Sequence, residues 1–245
     1  MPQTRLKVRL VTHTPDVEKT CAMAARTCYS DMDADALTQW AAEHDPGAFL
    51  RRIMASGHLS VLEHASFTFF VEGVSRSLLA QLTRHRIASF SVQSQRYVDL
   101  GEKFAYIVPP AVEALGEEAV REYESEMETC RKWYLAWQER LGGGARANED
   151  ARFVLPNACE TKLTMTMNCR ELLHFFSLRT CERAQWEIRA LAIEMLRICK
   201  QVSPVIFENA GPGCVRAACP EGAKSCGRAA EKRAFFKALA SKEEP

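Results

Sequence analysis

Between Pro109-Pro110 and Gly142-Gly143-Gly144 the chain carries Val112, Leu115, Ala119, Tyr123, Met127, Cys130, Tyr134, Trp137 and Leu141, spaced three or four apart throughout. That spacing puts them on one side of a helix of about eight turns, over residues 112–141. Proline opens a helix but does not continue one, and a glycine triplet ends it, so local chemistry bounds the segment. An apolar seam of this length has to be covered, and the length favours a subunit interface over a small core.

The rest of the fold has to be built around that helix. Leu6 to Val11 alternates apolar and basic residues and predicts a first strand. Thr14-Pro15-Asp16 predicts an N-cap followed by proline at the first helical position, leading into a helix with Val17, Cys21, Ala24 and Cys28 on one face. Two more helices are expected near Ala36 to Glu43 and over Phe49 to Ala55, the latter closed by Gly57. Phe67 to Glu72 is rich in strand formers. Ser75 is placed to cap a helix through Leu78, Leu79 and Leu82 that would bring Gln81, Arg84 and His85 to one side, with irregular chain following through Tyr97. Leu163 to Met167 alternates as a strand, and helices are expected near Arg170 to Leu178 and Ala184 to Gln201, the last stopped before Pro204. Strands and helices are interspersed without a βαβ beat, which predicts an α+β fold: a mixed or antiparallel sheet packed with several helices.

Charge narrows the partners. Lys and Arg total 32 against 31 for Asp and Glu, so there is no basic surplus of the kind that duplex nucleic acid demands. No apolar run approaches the roughly 20 residues that span a bilayer, and the N-terminus lacks a secretory apolar stretch. Ten cysteines are scattered, among them Cys21, Cys28, Cys130 and Cys199 in helical patterns, which suits reduced thiols in the cytoplasm.

Positive charge is instead concentrated locally in RHRIASFSVQSQRY, Arg84 to Tyr97. Taken alone, Arg-His-Arg after a helix reads as a solvated basic loop near a helix C-terminus. Ser89, Ser91, Ser94, Arg96 and Tyr97 add neutral donors beside the guanidinium groups, a set that suits phosphate oxygens. Two more polar blocks follow: Leu155 to Lys162, and Leu178 to Arg189 with Gln185 and Arg189 four apart. Glu182, Glu187 and Arg189, taken singly, read as ordinary surface pairing.

Together these residues resemble the flavin-dependent thymidylate synthase family. RHR, seven residues, Ser94, one residue and Arg96 match its signature. GHLSVLEH (57–64), ARFVLPNACETK (151–162) and AQWEIR (184–189) resemble its flanking blocks in order, and the likeness runs from about Leu6 to Phe207. The resemblance implies one catalytic domain over 1–210 followed by a cysteine-containing, charged tail over 211–245. It implies FAD as cofactor, dUMP, NADPH and methylenetetrahydrofolate as substrates, reductive methylation of dUMP to dTMP, and a homotetramer with shared sites, with no nucleic-acid or membrane partner. Carried over by position, His58, Ser60, Glu63, Arg84, His85, Arg86, Val92, Leu178, Arg179, Thr180 and Arg183 would bind the flavin. Gln81, Arg84, Val92, Gln93, Ser94, Gln95, Arg96, Lys162 and Arg189 would bind dUMP, with Arg189 catalytic through stabilising uracil with its N3 proton removed. Val92 stands where many relatives carry Glu or Gln, and Lys162 where an arginine is expected, so a polar contact and a bidentate fork are missing. No GxGxxG occurs, so a dinucleotide would bind without a Rossmann fingerprint.

Two other readings compete: a folate- and flavin-dependent methylase of uracil in RNA, and a nucleotide-binding module without catalysis. The balanced charge opposes the first. In the tail, Cys214, Cys219 and Cys226 lack paired CxxC spacing, which favours unliganded thiols and no metal. Arg228 to Pro245 reads as a surface helix or frayed end.

Overall fold

The protein is described from a computed structural model covering residues 3–101 and 104–239. Four strands, β1 (Lys7–His13), β2 (Ser66–Ser75), β3 (Ala88–Val92) and β4 (Glu160–Asn168), form one antiparallel sheet in the order β1-β2-β4-β3. Ten α-helices are present among the described residues: α1 (Val17–Thr27), α2 (Ala34–Glu43), α3 (Gly47–Ala55), α4 (Arg76–Leu82), α5 (Pro110–Glu113), α6 (Glu117–Arg140), α7 (Gly144–Ala151), α8 (Cys169–Arg179), α9 (Trp186–Val202) and α10 (Ala229–Ala238). The class is α+β, as the interspersed pattern predicts. No helix among the described residues is long and apolar enough to cross a membrane.

The chain divides into two compact units. The first holds Met1–Lys7, Phe70–Arg84 and Phe90–Thr164; the second holds Val8–Phe69, His85–Ser89 and Met165–Pro245. In the first, Met127 and Tyr134 of α6 close on Leu100, Phe104, Tyr106, Val108, Ala151 and Cys159. Gly73 is obligatory there: its φ is +70°, and a Cβ would lie 1.9 Å from the Arg5 carbonyl oxygen. In the second, Phe67, Phe176 and Phe207 meet edge to face, with centroids 5.8–5.9 Å apart, at the centre of the core.

Several expectations need correction, each for a local reason. The long helix is present as α6 but starts later than expected, because Gly116 takes φ +102° and separates the single turn of α5 from it. Leu115 is thereby left 78% exposed, and the seam's middle, Met127 and Tyr134, packs inside its own unit. Trp137 and Leu141 stay exposed. Pro15 is not the first residue of α1: Asp16 adopts the left-handed conformation and the helix starts at Val17. The Thr14 hydroxyl, expected as the cap, instead accepts the Ser66 N–H at 3.0 Å. On α1 the buried residues are Val17, Cys21, Ala22 and Ala25, whereas Cys28 is exposed. Chain expected to be irregular after α4 contains β3, whose intermediate and exposed positions alternate along Ala88–Val92, the period of a strand. Helix α4 stops at Leu82, so exposed Arg84 and buried His85 do not share a side with Gln81. Helix α10 buries Phe236 rather than fraying, and residues 240–245 of the tail lie outside the described residues.

Candidate active site

Ser75, the residue singled out as a cap, accepts the Leu78 N–H at 3.1 Å and starts α4. That fixes Arg76, whose backbone N–H donates to the Cys159 carbonyl at 3.1 Å and whose guanidinium donates to the Gln93 carbonyl at 2.8 Å. Burial lowers the Arg76 pKa. Arg76 thus ties the end of β3 to the start of β4, a role its sequence position does not advertise. Half-buried Gln81 lies further along α4, and exposed Arg84 follows its end.

The turn after β3 holds most of the predicted substrate residues in the first unit. The Gln93 N–H donates to the Lys162 carbonyl at 2.8 Å, bringing the segment 93–96 alongside β4. Gln93 and Lys162 line a cavity of about 70 Å³ with Val98, Leu100, Ala105, Cys159 and Glu160. The Ser94 hydroxyl accepts the Arg96 N–H at 3.2 Å, an ST-turn that orients both. Gln95 donates to the Cys159 sulfur at 3.6 Å, and burial pushes that thiol up to about 11. Half-buried Val92 ends β3 and brings no polar atom to the turn.

Arg96 pairs with Glu149 at 3.0 Å and lies over the Tyr97 ring. Lys162 stands 3.7 Å from Glu72, which also meets Lys7. All four of these partners are at least about a third exposed, so water screens both pairs. Buried Asn148 of α7 donates to the Arg96 carbonyl at 3.2 Å, while its own oxygen accepts from Tyr134 and Gln138. Asn148 sits far along the sequence and carries no motif, so sequence reasoning passes over it.

The second unit holds the histidine of RHR. His85 is buried, with Nδ1 3.0 Å from a Glu171 carboxylate oxygen and Nε2 accepting from Arg179 Nε at 3.0 Å. Because Arg179 can only donate, Nδ1 carries the ring proton and donates to Glu171. Burial lowers the His85 pKa most; Glu171 opposes that shift and Arg179 adds to it. The ring also meets Phe175 edge-on, with centroids 5.0 Å apart. Both His85 nitrogens are therefore engaged, and exposed Arg86 is what the motif presents to solvent in this unit. Glu171, on the first turn of α8 behind the Asn168 cap, is the partner that sequence reasoning missed.

His58 and Ser60 are exposed, and Glu63 pairs with Arg170. Glu63 and Arg170 border a cavity of about 540 Å³ with Leu59, Ile87, His174 and Arg216 among its walls. Leu178 is exposed, whereas the Thr180 hydroxyl is buried and donates to the Phe176 carbonyl at 2.6 Å. Gln185, rather than sharing a helix face with Arg189, is the N-cap of α9 and accepts the Glu187 and Ile188 N–H groups. Arg189 sits one turn in and donates to both the Glu182 carbonyl, at 3.1 Å, and its carboxylate, at 3.0 Å. Glu182 also meets Lys232 and Arg228, and the Lys232 hydrogen bond, then the charges of Arg189, Lys232 and Arg228, hold its pKa low. Arg183 pairs with Glu221 at 2.8 Å.

Residues 9–205 match the family described as thymidylate synthase complementing protein. A protein of Geobacter sulfurreducens named flavin-dependent thymidylate synthase is 54% identical over 235 residues, covering 96% of this chain and 99% of that protein. Proteins of the same name from Clostridium tetani and Nitratidesulfovibrio vulgaris are 47% identical over 243 residues and 49% identical over 239. These cover 94% and 93% of this chain, and 97% of each relative. With its signature residues divided between a strand-end turn and a buried histidine network, the chain belongs to the thymidylate synthase complementing protein family and is an enzyme of the flavin-dependent thymidylate synthase kind.

Proposed function

We propose that the protein converts dUMP to dTMP by reductive methylation, with methylenetetrahydrofolate supplying the carbon, NADPH the electrons and FAD as the bound cofactor. The observation that carries this reading is the 2.8 Å bond from the Gln93 N–H to the Lys162 carbonyl, which draws Ser94, Arg96 and Lys162 to one strand end. A hydroxyl and two permanent cations there suit a nucleotide monophosphate. Their ion pairs with Glu149 and Glu72 are solvent-screened, so a dianionic phosphate can displace those carboxylates at small cost.

Arg189 would act on the uracil ring. C5 of uracil is a weak nucleophile, and charge spread from N3 towards O4 enriches it. A guanidinium beside N3 and O2 favours that anion through charge-assisted hydrogen bonds. Glu182 holds Arg189 from two acceptors, which fixes the fork before substrate arrives.

The second unit fits a flavin dinucleotide in its donor set. The 540 Å³ cavity is edged by Arg170, Arg216, Asn168 and Ser177, donors for a pyrophosphate, beside the apolar Leu59, Ile87 and Leu173 for a ring system. FAD, when bound, supplies hydride transfer between NADPH and the one-carbon unit. His85 would set the position of Arg86 rather than exchange a proton, since both its nitrogens are already bonded.

The enzyme would work as a homotetramer with sites shared between subunits, and exposed Trp137 in the last turn of α6 and Leu141 just past it suit a subunit contact. Anaerobic mixing of purified protein with dUMP, NADPH and methylenetetrahydrofolate should yield dTMP and bleach a yellow flavin spectrum. A colourless protein that makes no dTMP after FAD is added would overturn the reading. Mixing Arg84→Ala and Arg189→Ala proteins under subunit exchange should restore part of the activity if the sites are shared. No recovery despite demonstrated exchange would count against sharing.

A further inference from the structure

The tail presents three cysteines, Cys214, Cys219 and Cys226, and the fold brings a fourth, Cys181, to meet them. Contacts of neighbouring residues bring their segments together. Gly213 packs so tightly on Pro220 that a Cβ there would lie 2.8 Å from the ring, which closes the loop between Cys214 and Cys219. The Arg233 guanidinium donates to the Cys214 carbonyl at 2.9 Å and to the Ala217 carbonyl at 3.0 Å. The residues following Cys181 reach the same segment: Glu182 pairs with Arg228, two residues past Cys226, and Arg183 pairs with Glu221, two past Cys219. Cys214 is buried, Cys181 and Cys219 are half-buried, and Cys226 is exposed, so the cluster opens to solvent on one side.

We propose that Cys181, Cys214, Cys219 and Cys226 form a four-thiolate site for one structural zinc ion, which fastens the C-terminal segment to the loop carrying Glu182. The segments that carry the four thiols are tied together by the Gly213–Pro220 packing and by the Glu182–Arg228 and Arg183–Glu221 pairs. Four thiolates are a common structural zinc set, and the four-residue gap between Cys214 and Cys219 falls within its usual spacing. Binding releases the four thiol protons to solvent and leaves a doubly negative centre. Arg183, Arg228, Lys232 and Arg233 lie along the segment and bring compensating charge.

Among the described residues, the groups already gathered within a 4.8 Å ligating span are His85, Glu171 and His174. There both His85 nitrogens are spent, and a guanidinium points at the ring, which repels a cation. No three of the four proposed thiol ligands lie within that span, so metal binding would have to draw them together. A second sulfur cluster, Cys21, Cys169 and Cys199, lies wholly in the core, where thiols stay protonated: a Cys21 hydrogen bond and then burial push Cys169 up, and burial does the same for Cys199. The consequence at the tail is mechanical. Glu182 holds Arg189 on one side and Arg228 and Lys232 on the other, so a metal at Cys181 would steady the arginine's anchor.

The test is independent of the proposed reaction. Full-length protein expressed with zinc and exchanged into chelator-treated buffer should retain close to one zinc per chain by elemental analysis. Titration with a mercurial should release it. Cobalt substituted for zinc should give the sulfur-to-cobalt charge-transfer and tetrahedral ligand-field bands. Cys181→Ser and Cys226→Ser alter residues outside the core and should each cut retained metal about tenfold or more, while Cys28→Ser should leave it unchanged. Wild-type protein without bound zinc or tetrahedral cobalt bands overturns the proposal. So does equal metal loss from Cys28→Ser, or an intact mass showing the four residues paired in disulfides.

Discussion

The strand-end turn of the first unit and the histidine network of the second both gather cations, yet they treat them oppositely. Arg96 and Lys162 are left in water, each facing one carboxylate that is itself at least about a third exposed. His85, Glu171 and Arg179 form a chain in which the His–Glu pair is less than a tenth exposed. An exposed pair contributes on the order of 0–1 kcal/mol and yields readily to a charged ligand. A buried one is costly to break, because the survivor is left without a partner. The first arrangement suits groups that must release one anion to take another; the second suits a group that must not move. Arg189 stands between them in character, partly exposed but gripped by Glu182 from two acceptors.

That contrast is breakable, most severely at Arg189. Arg189→Lys keeps the charge and loses the planar fork, so kcat should fall by about a hundredfold with dUMP affinity changing much less. Equal losses in steady-state turnover and in calorimetric affinity would reduce Arg189 to a substrate anchor. At the turn, Arg96→Ala should weaken dUMP binding by about 1.5–3 kcal/mol, some ten- to hundredfold, with the flavin spectrum unchanged. Unaltered dUMP affinity by titration calorimetry would remove Arg96 from the phosphate cradle.

The buried network makes a stability claim. Glu171→Ala leaves the His85 Nδ1–H without its acceptor and should cost about 1–3 kcal/mol in denaturant unfolding. It should also alter the acid limb of stability. The folded pKa of His85 lies below its ordinary 6.5, so below that pH the unfolded chain takes up a proton that the folded chain still refuses. Its contribution is therefore intact above 6.5 and declines as pH falls from 6.5 towards the folded value. His85→Asn should flatten that limb of a Tm-against-pH curve relative to wild type, and an unchanged limb would assign the acid sensitivity elsewhere. The smallest effect belongs to the exposed side: Glu72→Gln should shift stability by no more than about 1 kcal/mol and leave dUMP affinity equal or slightly better. A large loss there would mean that the Lys162 pair is structural, and the contrast between the two regions would fail.

The candidate residues could be named from the chain because their chemistry is dense and local. Residue type alone picks out Ser94, Arg96 and Lys162 as candidates, while Ser75, Gly57 and the alternation along β4 mark their elements correctly. Periodicity misled where a single backbone torsion outweighed it. Gly116 delayed the start of the long helix, and Asp16 in the left-handed region moved the start of α1. The five residues of β3 were hidden because a stretch rich in functional side chains also carried a short strand's alternation.

What the sequence alone determined is the inventory: which cations, hydroxyls and thiols exist, the α+β class, and the family signature that orders them. Those depend on residue type and on interactions a few positions apart, where propensity and spacing act directly. Tertiary structure decided the partners. Glu171 for His85 lies 86 residues away, Asn148 for Arg96 lies 52 away, and Cys181 is set beside a tail more than thirty residues downstream. No local rule fixes such pairings, because they arise when the burial of apolar faces brings distant segments together and any polar group caught there must find a donor or acceptor.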